Sequence, residues 1–222
     1  MAYTAAKDDR FFTHDWCIRV AWTPNSSAQA GCLLVKKVTE SNARDCINAH
    51  FGTATAAEKD VRLQNLLTRC ANAKIYRNAL QVLAYLEQEP GFKPVLVGLG
   101  GVMEIPSSIA TSSTANVGLE LEPHARGRGL GVLLFRVLLR LAHELHVDTI
   151  EAGTMKENHA MRALAKKLGL AETMENKYHP NGSGTVVADV MFHNIGVHTM
   201  FEDGAFEGMD VAFSPDSSQQ LS

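Results

Sequence analysis

At 222 residues the chain is long enough to bury a substantial core in one domain, or in one domain with extensions, and nothing in it demands two. A net charge of −3 supplies no global basic field of the kind that holds nucleic acid, and the apolar stretches are interrupted well before the roughly 18 residues of a membrane span, so neither a nucleic-acid nor a membrane partner is expected. Cys17, Cys32, Cys46 and Cys70 are irregularly separated, with no CxxC and no nearby paired His, and read as reduced thiols of a cytoplasmic protein that carries no metal.

The opening MAYTAAKDDRFFTHDW is too polar for a secretory signal. Residues 1–30 hold aromatic anchors (Phe11, Phe12, Trp16, Trp22) and an alternating run from Asp15 to Trp22, and are expected as an N-terminal extension packed on the domain. Cys32 to Val38 reads as a strand. Ser41 then caps a helix to about Ala49, and a second helix runs from about Ala56 to Ala71. Between Tyr76 and Glu87, Leu80, Leu83 and Leu86 fit a helix while Leu80, Val82 and Ala84 fit a strand; the expectation is helix.

Pro94 to Ile105 and Asn116 to Glu122 read as a hairpin-like pair of strands joined by the Ser/Thr-rich turn of residues 107–114. Alternation places Val117, Leu119 and Leu121 on one face and Asn116, Gly118, Glu120 and Glu122 on the other. From Leu130 to Leu145 leucines and valines recur at helical spacing as a core stripe. His143 and His146 are three apart rather than the four of HExxH, and read as helix C-terminal charges rather than metal ligands. Asp148 to Met155 is a strand, Asn158 to Leu168 a helix stopped by Gly169, and Thr185 to Phe192 a further strand.

This alternation gives an α/β or α+β sheet domain over residues 31–195. Residues 196–222 are expected to form a partly disordered tail that has, from Phe201 on, five acidic residues and no Lys or Arg. Its phenylalanines leave open docking onto the domain or onto a second subunit of a homodimer.

The most informative run is Arg126-Gly127-Arg128-Gly129-Leu130-Gly131, which opens the leucine-rich helix. N–H groups of a first helical turn lack intrahelical partners, glycines let a diphosphate approach them, and the helix dipole with Arg126 and Arg128 adds positive potential. The run is neither GxGxxG nor GxxxxGK[ST], so its context has to discriminate. In that context the chain resembles the GNAT superfamily of acyl-CoA-dependent N-acyltransferases, whose loop pattern [QR]-x-x-G-x-[GA] is matched by Arg126, Gly129 and Gly131. A second match is Asn158, followed by Met161, Leu164, Ala165 and Leu168 on an apolar helix and then by Gly169 and Leu170. Ala165 stands where many relatives carry a thiolate-protonating Tyr, and this version is similar to that of bacterial protein lysine acetyltransferases.

The resemblance covers about residues 94–192. It implies a mixed, mainly antiparallel central sheet with helices on both faces and splayed fourth and fifth strands. Acetyl-CoA would lie between those strands, with its diphosphate on Arg126 to Gly131, its pantetheine and thioester against the backbone of Leu119, Glu120 and Leu121, and Asn158 nearby. Transfer to an amine requires a neutral nucleophile, and an amine of pKa near 10.4 needs a carboxylate to take its proton. Glu120 is the candidate base and Glu122 the alternative. Many relatives that modify protein lysines have a Glu ten residues before the loop, whereas this chain has Asn116. A thiolate leaves tolerably without a dedicated acid, and Tyr178 is a candidate substitute for the missing Tyr.

No cysteine lies in the matched region, which favours direct attack over a covalent intermediate. The expected function is N-acetyl transfer to a small-molecule amine or protein lysine; the alternative is a catalytically degenerate acyl-CoA-binding sensor. The acceptor would be chosen by the N-terminal half and residues 171–184.

Overall fold

The computed structural model describes residues 10–24, 30–50, 54–71, 79–88, 92–105, 113–178, 183–195 and 206–214. Its strands are β1 (Trp16–Trp22), β2 (Gly31–Lys37), β3 (Leu80–Glu87), β4 (Val95–Ile105), β5 (Thr114–Leu121), β6 (Thr149–Thr154), β7 (Ala171–Tyr178), β8 (Val186–Ile195) and β9 (Val211–Phe213). Helices α1 (Arg10–Thr13), α2 (Glu40–His50), α3 (Ala56–Ala71), α4 (Leu130–Glu144) and α5 (His159–Lys167) connect them. The strands make one sheet in the order β7-β8-β6-β5-β4-β3-β2-β1-β9. Every neighbouring pair is antiparallel except β5 and β6, which run parallel.

Helix α4 packs on one face of this sheet because its leucine stripe is continuous: Leu130, Leu134, Phe135, Leu138 and Leu141 are fully buried against Leu33, Val35, Val82, Val102 and Val117. Each such side chain contributes about 1.5–3 kcal/mol of burial. Met161, Leu164 and Leu168 of α5 join the same core. Helices α2 and α3 cover the opposite face through Ala43, Cys46, Ile47 and Leu63, packed on Leu83, Tyr85 and Leu99.

Besides β7, whose residues carry no strand pattern, four segments differ from the sequence expectation. The described part of the Tyr76–Glu87 segment is strand β3, not a helix. It is buried on both faces, with Val82, Ala84 and Leu86 under α4 and Leu83 and Tyr85 under α2 and α3, so strand alternation is lost. Residues 16–22, expected in an extension packed on the domain, form β1 within the sheet, because Trp16, Ile18, Val20 and Trp22 all face the core. The α2 cap is Thr39 rather than Ser41: Thr39 O accepts from Asn42 N and Ala43 N, and Asn42 Oδ1 accepts from Thr39 N at 2.8 Å. In the tail, Val211–Phe213 pairs with β1 as β9, and Phe206 and Phe213 pack on the main core, so this part docks on its own domain; residues 215–222 lie outside the described residues, as do Phe201 and most of the 107–114 turn.

Candidate functional site

Strands β5 and β6 pair only over Thr114–Asn116 and Thr149–Glu151, then part company. The gap between them opens onto the start of α4 and one side of α5, as a cleft of about 660 Å³.

The main chain of β5 supplies one wall. Glu122 N donates to Val97 O at 2.9 Å, so by strand alternation Gly118 and Glu120 also direct their main-chain groups at β4. Those of Val117, Leu119 and Leu121 therefore point into the gap, where Leu121 O accepts from Arg126 Nε at 3.0 Å. A bulge lies in the neighbouring strand, β4. Between the pairs Ala84↔Gly98 and Tyr85↔Leu96 the register shifts by one residue, leaving Val97 as the extra residue on β4, while β5 runs without interruption. Gly118 instead leaves open space above its Cα.

The glycine loop follows a single 3-10 turn (Pro123–Ala125). Gly127 (φ 73°) and Gly129 (φ 83°) both adopt the left-handed conformation, and Gly129 is the α4 N-cap. Val132 N and Leu133 N turn back to Gly129 O. Among the described residues no hydrogen bond engages the N–H of Arg128, Gly129, Leu130 or Gly131. Gly131 also has a packing role: a Cβ there would stand 3.0 Å from Leu164 Cδ1, so its absence lets α5 approach α4.

Leu119, Glu120, Leu121, Arg126, Gly127, Gly129, Gly131 and Asn158 are brought together around the cleft. The side chains of Arg128 and Leu130 are not. Arg128 stacks its guanidinium 4.8 Å from the centroid of the Trp22 ring, and Leu130 is buried in the core. Glu122 closes the end of β5 outside the cleft lining, and Tyr178, 55 % exposed at the far end of β7, also lies outside it. Asn158 caps α5: its Oδ1 accepts from Met161 N at 3.1 Å and its Nδ2 donates to Thr154 Oγ1 at 2.9 Å. Ala165 is fully buried and presents no group to the cleft.

Glu120 projects to the face covered by α2. Burial foremost, then the charges of Cys70, Glu122 and Glu120, push the Cys46 thiol up to about 11. One carboxylate was not anticipated from sequence. Glu151 of β6 is the register partner of Asn116, its side chain is 17 % exposed, and it pairs with Lys177 of β7. Its signal was invisible because the partnership crosses 35 residues of chain. Among the described residues no cluster of His, Cys, Asp and Glu could hold a metal, and no helix is long and apolar enough to cross a membrane.

Residues 33–171 match the family described as Acetyltransferase (GNAT) domain. No curated protein matches the chain in sequence. Among solved structures, a putative acetyltransferase, yncA, from Salmonella typhimurium with its cofactor acetyl-CoA is 18% identical, with a TM-score of 0.52 over 83% of this chain and 98% of that one. The ribosomal-protein-S5-alanine acetyltransferase of Vibrio fischeri is 15% identical, with a TM-score of 0.57 over 78% and 97%. A spermidine N-acetyltransferase chimera from Vibrio cholerae and hSSAT is 18% identical, with a TM-score of 0.54 over 76% and 97%. At these identities the likeness is one of fold.

Proposed function

Because the chain belongs to the acetyltransferase (GNAT) family, with acetyl-CoA as its acyl donor, we propose that it transfers the acetyl group by direct attack of a primary amine, from a small molecule or a protein lysine. The observation that carries this reading is the set of unengaged N–H groups at the start of α4, opening on the wedge between β5 and β6. Such a terminus suits a diphosphate, with Arg126 alongside. The gap-facing N–H of Leu119 is placed to align and polarise a thioester carbonyl, a donor for the oxyanion that forms there.

Glu120 takes the proton of the incoming ammonium, directly or through one water. The amine nitrogen bonds to the acyl carbon and gives up its second proton to solvent, the carbon–sulfur bond breaks, and the thiolate is protonated from solvent, since Ala165 offers no acid. Among relatives, names that specify spermidine or a ribosomal-protein alanine agree with amine acceptors as a class. Four free thiols, Cys17, Cys32, Cys46 and Cys70, fit a reducing, cytoplasmic site of action.

Gly129→Glu places a bulky anion where the phosphates would lie, and calorimetry with CoA should detect no binding. Unchanged affinity would remove the loop from the site. Asn116 and the buried Ala165 favour a second reading, an acyl-CoA sensor without turnover. Tight CoA binding with no thiol release across a panel of amines and peptides would select it.

A further inference from the structure

We infer that Trp22 is a positioning residue for the coenzyme's diphosphate, aiming the Gly129 N–H into the cleft from the far side of the loop. Trp22 ends β1 and is 2% exposed, and its Nε1–H donates to Arg128 O at 3.1 Å. Arg128 C=O and Gly129 N–H belong to one peptide unit. In a trans peptide the two groups point in opposite directions, and every described peptide here is trans. Holding the carbonyl on the indole therefore turns the N–H towards the cleft, which Gly129 lines.

The loop needs such a pin. Gly129 closes one side of that peptide in a left-handed conformation (φ 83°) that glycine leaves readily, so on this side the backbone itself does little to keep the 128–129 unit from rotating its N–H away. The indole is itself rigidly seated in the core, and the Arg128 guanidinium covers its face. The loop is thereby tied to a strand more than a hundred residues earlier in the chain, which the GNAT match over residues 33–171 does not include.

This inference rests on the proposal that the loop binds the diphosphate, and the test separates the two. Trp22→Phe keeps an aromatic face for Arg128 and removes the N–H. It should weaken CoA about three- to tenfold by calorimetry, as for one lost hydrogen bond, and leave binding of pantetheine, which has no diphosphate, unchanged. Trp16→Phe removes another buried indole donor, bonded to Phe11 O at 3.0 Å, and should leave both affinities unchanged. If Trp22→Phe folds poorly, 3-benzothienylalanine at position 22 keeps the shape and lacks the donor. Wild-type CoA affinity in either variant, or equal weakening of CoA and pantetheine, overturns the role of Trp22. Should Gly129→Glu still bind CoA, the loop proposal falls with it.

Discussion

Asn116 of β5 and Glu151 of β6 face each other in the last pair of the parallel ladder, and immediately beyond them the two strands separate. The amide cannot accept a proton and the carboxylate is tied to Lys177, while Glu120, four residues further along β5, lines the cleft. Glu120→Gln should lower kcat by about 10²- to 10⁴-fold with CoA affinity unchanged, measured by thiol release from acetyl-CoA. If kcat survives, Glu120 is not the base, and the parallel Glu151→Gln variant would identify the carboxylate that is.

Gly98 holds β5 in place by what it lacks. A Cβ there would stand 2.6 Å from Glu120 O and 2.8 Å from Leu121 Cδ2, and the first of these atoms is backbone. Gly98→Ala should therefore displace the strand carrying Glu120. A loss of about 1–3 kcal/mol, seen as a drop in Tm of several degrees, should be accompanied by reduced kcat. An unchanged Tm would mean that β5 yields without cost.

Cys46 makes stability fall in alkali. Its thiol is raised from about 9 to about 11 on folding, chiefly by burial, so between these values the unfolded chain has released a proton that the folded chain still holds. Stability is then fully present below pH 9 and is lost progressively as pH rises through 11. Tyr85, raised to about 12 mainly by burial, acts in the same direction at higher pH. Urea midpoints at pH 8 and 10.5 should drop more for the wild type than for Cys46→Ala. Equal drops would show that the thiol does not titrate differently in the two states.

The site was more legible in the sequence than the sheet that frames it. A glycine run at a helix start is a local requirement, so Gly127 and Gly129 could be read without knowing what surrounds them, and the face assignment of β5 followed from simple alternation. Strand β3 was misread because helices cover both of its faces, and apolar residues at nearly every position imitate helical spacing. Strand β7 escaped notice for the opposite reason: seven of its eight residues are exposed, so it carries no apolar period at all. The contacts of Arg128 with Trp22 and of Gly131 with Leu164 depend on which elements become neighbours, and spacing along the chain does not encode that.

Among the described residues, the ladder joining the β9-to-β5 portion of the sheet to the β6–β8–β7 portion is only three register pairs long, from Thr114↔Thr149 to Asn116↔Glu151, with Asp148 N and Thr149 N donating to Ser113 O at its closed end. The fold thus has a seam along its middle, held otherwise by side-chain packing such as Leu164 on Gly131. A molecule lying in the wedge and touching both banks would act as a splint, reinforcing the protein along the line where its own hydrogen bonding is sparsest.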